Sequence, residues 1–307
     1  MNDSTGTDQM LIKKIQKLAK EKNAIILAHN YQPPEIQQIA DLCGDSLELS
    51  IQASKTLADI IVFCGVHFMA ETAYILSPDK TVLLPNPDAG CPMADMVDPV
   101  ALRARKRELG NIPVVTYVNS SAAVKAVSDI CCTSANVIKV ANSIASDEIL
   151  MTPDKNLALY AAANTDKKIH LWEGYCPFHN NLTVQDVTSA RAAHPKALFI
   201  AHPECPPNIL ELADSIQSTS GMIRFAGQSN ADQFILGTEN GLLYPISKAH
   251  PRKKFYPASD KMYCPDMKKI TLNHVAISLE NLTGEIKVPE DIRLAALGSV
   301  QKMIDLK

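Results

Sequence analysis

Three stretches of this 307-residue chain repeat one another, and an internal repeat restricts the possible folds more sharply than any composition can. The apolar runs Ala24–Ala28, Pro113–Tyr117 and Ala197–Ala201 each read as a buried parallel strand. Each leads into a polar cluster, and these clusters begin at His29, Tyr117 and His202. From these anchors the same features recur in phase. Two residues on lie Tyr31, Asn119 and Glu204; twelve on, Asp41, Asp129 and Asp214; seventeen on, Ser46, Ser134 and Thr219. A second strand end follows in each, at Phe63-Cys64-Gly65, Met151-Thr152-Pro153 and Leu236-Gly237-Thr238. A Cys-Pro pair closes each repeat, with Cys91, Cys176 and Cys264 lying 62, 59 and 62 residues beyond their anchors. Cys205-Pro206 is a fourth such pair outside the register.

Within a repeat, strands and helices alternate. In the first, the pattern predicts strand Ala24–Ala28, helix Glu35–Ile39, strand Asp41–Cys43 and helix Ser46–Leu57, then strand Ile60–Gly65, helix Phe68–Leu76 and strand Thr81–Leu84. The expected fold class is α/β: three similar α/β/α sandwich units with parallel sheets and right-handed crossovers, set around a pseudo-threefold axis. The expected boundaries are 1–92 with an N-terminal helix, 93–177, and 178–307 with a helical tail after Met267. Val288-Pro289-Glu290-Asp291 marks a helix start in that tail, with proline early and acids in the first turn.

Composition narrows the class. Thirty Lys and Arg against 33 Asp and Glu give a net charge of −3, which provides no general attraction to nucleic acid or an anionic membrane. Hydrophobic residues at 46% suit a globular core, and no apolar run approaches membrane-spanning length. The N-terminal stretch lacks a basic-then-apolar signal pattern, so a cytoplasmic location is expected. Eight cysteines without any Cys-x-x-Cys then read as reduced thiols or metal thiolates.

Ligands of parallel α/β sheets collect beyond the carboxyl ends of the strands, where every anchor lies. Threefold packing would bring Cys91, Cys176 and Cys264 together. Three thiolates without a fourth suggest a 4Fe–4S cluster with one open iron; zinc, which usually draws on His or carboxylate, is the alternative. Ser46, Ser134 and Thr219 precede helical stretches and suit an anionic substrate, although each alone could be a plain helix cap. His29 and His202 can donate to an oxyanion or carry protons, and Tyr31 and Glu204 form an acid/base pair of unequal strength. Cys43, Cys64, Cys131, Cys132 and Cys205 read as core thiols, and the three repeat aspartates as orienting groups between units. His179, three residues after Cys176, reads as a neighbour of the metal site and not as a ligand.

The strings AHNYQ (28–32), GDSL (44–47), VFCGVHFMAET (62–72), AGCPMADM (89–96), YVNSSAAVKA (117–126), CTSAN (132–136), HPEC (202–205), STSGM (218–222), GTENG (237–241) and CPDMKKITL (264–272) resemble the quinolinate synthase family over about residue 10 to residue 280. That family condenses iminoaspartate with dihydroxyacetone phosphate in de novo NAD biosynthesis. The resemblance implies three α/β/α domains about a central 4Fe–4S cluster bound by Cys91, Cys176 and Cys264. It implies substrate contacts from His29, Ser46, Tyr117, Asn119, Ser134, His202, Glu204 and Thr219, with Tyr31, Glu204 and His29 in proton transfer. The implied partners are the two small substrates and an enzyme that oxidises or dehydrogenates aspartate, with no nucleic acid or membrane. The chain departs from the family pattern at Gln217, where glycine is expected, and no further cysteine stands beside Cys264 for disulfide control. An iron–sulfur sensor and a zinc-dependent aldolase or lyase are the rival readings of the residues.

Overall fold

A strand covered by helices on both faces has no solvent side, so its whole length is apolar. Ile60–Cys64 is such a strand, buried at all five positions. A computed structural model describes residues 3–306 of the chain, with side chains from residue 8 onward. Met1, Asn2 and Lys307, the outer ends of the expected first and third units, lie outside the described residues.

The strands form three parallel sheets of four. The first holds β1 (Ala24–His29), β2 (Leu42–Gly44), β3 (Ile60–Cys64) and β4 (Thr81–Leu83) in the order β2-β1-β3-β4. The second holds β5 (Val114–Tyr117), β6 (Ile130–Cys132), β7 (Glu148–Thr152) and β8 (Lys168–Leu171) in the order β6-β5-β7-β8. The third holds β9 (Leu198–Ala201), β10 (Ser215–Ile216), β11 (Gln233–Gly237) and β12 (Lys254–Pro257) in the order β10-β9-β11-β12. The fold is therefore α/β with three similar units, each repeating one strand order.

The repeat aspartates explain part of that likeness. Asp41, Asp129 and Asp214 accept the backbone N–H of Ile26, Val114 and Phe199, each at 2.7 Å. Each thus locks its unit's short second strand to the first. They orient strands within units, where the sequence reading put them between units.

Two helices escaped the sequence pattern. Pro99–Glu108 and Val184–Ala193 lead into β5 and β9. Both starts carry local signals: Asp98 accepts from Val100 and Ala101, and Thr183 forms a capping box with Asp186.

Sequence order attaches the tail to the third unit, but its contacts tie it to the first two. Helix Leu272–Asn281 packs on the N-terminal helix Asp3–Glu21. Next, Leu84 N donates to Gly284 O and Ile286 N to Val82 O, both at 2.8 Å, covering the open edge of β4. The last helix, Glu290–Asp305, packs on β6 and on helix Ala122–Lys125. There Ser299 Oγ donates to Lys125 O at 2.8 Å and Asn136 Nδ2 to Met303 O at 3.2 Å. One continuous core joins these parts, and smaller clusters lie in the outer layers of the second and third units. Among the described residues, no helix is long and apolar enough to cross a membrane.

Candidate active site

The three cysteine loops are held alike. His67 N donates to Ala89 O, Lys155 N to Gly174 O and Asn240 N to Met262 O, each at 2.8 Å. Every acceptor lies two residues before a cysteine of the repeat, and every donor lies just past β3, β7 or β11. The backbone thereby sets Cys91, Cys176 and Cys264 at matching strand ends. One residue before each donor stand Val66, Asp154 and Glu239. Asp154 Oδ2 accepts the Cys176 N–H at 2.9 Å, and Glu239 Oε1 accepts the Cys264 N–H at 3.1 Å. Valine offers Cys91 no such acceptor.

The three hydroxyls are not the caps. Asp45 and Ser218 cap helices Ser46–Lys55 and Thr219–Gln228, and Asn136 stands at the cap position of Val137–Ser143. Ser46 and Thr219 thus occupy the first helical turn. Ser134 Oγ lies 3.2 Å from His202 Nε2, and Asn30 Nδ2 donates to Thr219 Oγ1 at 3.1 Å.

Glu204 sits at the centre, only 3% exposed. Its Oε2 lies 2.6 Å from His179 Nδ1 and 3.6 Å from His202 Nδ1. Burial would raise this carboxyl, but His179 and His202, with hydrogen bonds from His179 and Tyr117, outweigh it and hold the group at about 2. On its far side, His179 Nε2 lies 3.0 Å from Thr238 Oγ1, which lies 2.5 Å from Tyr31 Oη. Tyr31 and Glu204 are therefore the two ends of one buried hydrogen-bond chain. Burial, and then the Glu204 charge, push the Tyr31 and Tyr117 hydroxyls well above the usual phenol range, so both stay protonated. Burial lowers His29 and His202 to about 3, and both rings are neutral at physiological pH.

All twelve residues singled out from the sequence line one cleft: His29, Tyr31, Ser46, Cys91, Tyr117, Asn119, Ser134, Cys176, His202, Glu204, Thr219 and Cys264. The sequence missed Asp154 and Glu239, which help to organise it, and read a third organising residue, His179, only as a neighbour of the metal site. His179, 2% exposed, touches Glu204 and also lies 3.2 Å from Cys176 Sγ. Asp154 and Glu239 hold cysteine loops; each is the next residue after a strand-end triplet of the repeat, so extending the register by one position would have found them. Of the remaining thiols, Cys64, Cys131, Cys132 and Cys205 are buried, whereas Cys43 is partly exposed.

The donor set suits an iron–sulfur group. Only the three repeat cysteines line the cleft among the described residues. Burial pushes Cys91 up to about 12 and Cys264 to about 11, and it raises Cys176 well above the usual thiol range. Burial outweighs every contribution that favours these thiolates, so a bound metal group would supply the charge that stabilises them. Cys176, His179 and Glu204 also place ligand atoms within 4.8 Å of one another, a set able to hold a single metal ion.

Residues 13–305 match the family described as Quinolinate synthetase A protein. A quinolinate synthase of Geobacter sp. (strain M21) is 54% identical over 298 residues, covering 97% of this chain and 98% of that protein. One from Methanosarcina barkeri (strain Fusaro / DSM 804) is 53% identical over 297 residues, with the same coverage. A third, from Geobacter metallireducens, is 53% identical over 291 residues, 95% of this chain and 96% of that protein.

Proposed function

The chain belongs to the quinolinate synthase family and is an enzyme, and on that premise we propose that it condenses iminoaspartate with dihydroxyacetone phosphate to quinolinate. The reaction releases one phosphate and two waters and needs no oxidant, because the atoms balance without net electron transfer. Iminoaspartate would come from an enzyme that oxidises or dehydrogenates aspartate, and the cytoplasm, where thiols stay reduced, is the fitting compartment.

Cys91, Cys176 and Cys264 would hold a 4Fe–4S cluster. When bound, that group supplies a Lewis-acidic iron lacking a fourth protein thiolate, suited to the loss of hydroxide from carbon at neutral pH. The protein does the rest. Ser46, Ser134 and Thr219 offer hydroxyls to the carboxylates and phosphate, and the first turn of Thr219–Gln228 adds backbone N–H groups. The neutral rings of His29 and His202 donate without bringing a charge. Asn119 Oδ1 is buried without a partner and offers an acceptor for a substrate N–H. Glu204 can take up one proton and the Tyr31 hydroxyl can give one to a departing oxygen, the two being joined by hydrogen bonds through His179 and Thr238 Oγ1.

The convergence of strand-end residues from all three units on one cleft carries this reading. Anaerobic reconstitution with iron and sulfide should give a broad band near roughly 400 nm. Quinolinate should form from iminoaspartate generated in place and dihydroxyacetone phosphate. Quinolinate formation by metal-free enzyme would refute the cluster's role. The rival set Cys176, His179 and Glu204 predicts one metal ion and leaves Cys91 unused. Metal analysis of Cys91→Ala separates the two: the cluster should be lost, whereas a single-ion site should remain full.

A further inference from the structure

Asp154 and Glu239 are buried carboxylates, 2% and 1% exposed, that no chemical step above employs. Each spends both oxygens on loop backbone. Asp154 Oδ2 accepts from Cys176 N, while Oδ1 accepts from Leu157 N at 2.7 Å. Glu239 Oε1 accepts from Cys264 N, while Oε2 accepts from Gly241 N at 2.7 Å and from Lys268 Nζ at 2.9 Å. An ordinary N-cap needs one oxygen; the bond common to these two residues is the one to a cysteine N–H. The nearby glycines show how closely the backbone is drawn in. A Cβ on Gly174 would lie 2.5 Å from Pro153 O, and one on Gly241 would lie 2.5 Å from Tyr31 O and 2.7 Å from Glu239 Oε2.

We propose that Asp154 and Glu239 are positioning residues for the metal-binding thiols. Their carboxylates fix the Cys176 and Cys264 loops in the ligating arrangement, whereas the Cys91 loop, with Val66 at the matching place, has no carboxylate from that position on its cysteine N–H. Each side chain accepts two backbone N–H bonds, one of them from the cysteine, and a ligand already in place loses little freedom on binding. An amide cannot replace either carboxylate, because its NH₂ would face a backbone N–H. The proposal rests on the three-cysteine cluster assigned above.

The test uses the full chain, reconstituted anaerobically, as wild type, Asp154→Asn, Glu239→Gln, Asp154→Glu and Glu239→Asp. Iron and sulfide per chain are counted, and bleaching of the visible band by a ferrous chelator is timed well below the melting temperature. Asp154→Asn and Glu239→Gln should lose iron at least about ten-fold faster than wild type. Asp154→Glu and Glu239→Asp, which keep the carboxylate, should recover most of that loss. Wild-type stripping rates in both folded amide variants would overturn the proposal, and so would rates that merely follow a lowered melting temperature with no carboxylate rescue. Should Asp154→Asn fail to fold, because it also disturbs the cap of helix Lys155–Ala162, Glu239→Gln decides. Cys176→Ala is the control: a full iron count there would sink the cluster assignment itself.

Discussion

The first and third units are built on one frame and put different groups into the cleft. Both have the same strand order, and both fix the cysteine loop with a 2.8 Å bond from the residue past the third strand. Two residues past the first-strand anchor, however, the first unit places the Tyr31 hydroxyl and the third the Glu204 carboxylate. At the cysteine loop the first has Val66 and the third Glu239. The backbone thus decides where a side chain enters, and residue type decides whether that entry supplies an acid, a base, a clamp or a wall. The second unit is intermediate, with Asn119 at the first place and Asp154 at the second.

The cysteines, where the units agree, give the largest expected effect. Changing Cys91, Cys176 or Cys264 to Ala should abolish cluster loading, read as iron and sulfide per chain. Cys43→Ala, Cys131→Ala and Cys205→Ala should retain wild-type iron. A loaded Cys91→Ala protein would show that the first unit does not contribute as the others do.

Where the units differ, Glu204→Gln should lower turnover by about 100-fold or more, with the cluster intact and substrate binding near normal. Ordinary turnover would move the base to another unit. Thr238→Val leaves both ends of the hydrogen-bond chain in place and cuts the middle. Turnover should fall by about 10- to 30-fold, and an unchanged rate would mean that Tyr31 and Glu204 act separately. Ser134→Ala removes one of three equivalent hydroxyls. It should weaken dicarboxylate binding by about 1 kcal/mol, roughly five-fold in Kd, with little change in the chemical step.

Acid should distinguish the units most gently. His29 and His202 titrate near 3 in the folded chain and at 6.5 in the unfolded one, so the unfolded state binds more protons between those values. Stability should rise with pH across that window and be lost as pH falls from 6.5 toward 3. Tyr117, their counterpart in the second unit, does not titrate there. His202→Gln should flatten the dependence of melting temperature on pH below 6.5. An unchanged slope would mean that the ring is not held neutral.

Much of the frame was legible because it is written in neighbouring residues. The predicted Ile60–Gly65 and Thr81–Leu84 became Ile60–Cys64 and Thr81–Leu83, and the other strands of the first unit shifted no further. The missed helices Pro99–Glu108 and Val184–Ala193 carry capping signals that a search for repeats passes over. The twelve cleft residues could be found because strand ends in register share one location in parallel sheets. His179 could be read only as a neighbour of the metal site: a short helical turn follows all three cysteines, but the other two carry Ala94 and Met267 at its place, and its partners Glu204 and Thr238 are distant in sequence.

The sequence by itself determined the number of units, the alternation of strands and helices, and which side chains stand at strand ends. These follow from hydrophobic period and local capping, which act over a few residues. Tertiary structure alone decided that His179 joins Tyr31 to Glu204, that Asp154 and Glu239 grip the cysteine loops, and that the tail closes the edge of β4. Each of these contacts joins residues distant in the chain, and burial in the shared core, which no local pattern specifies, is what brings them together.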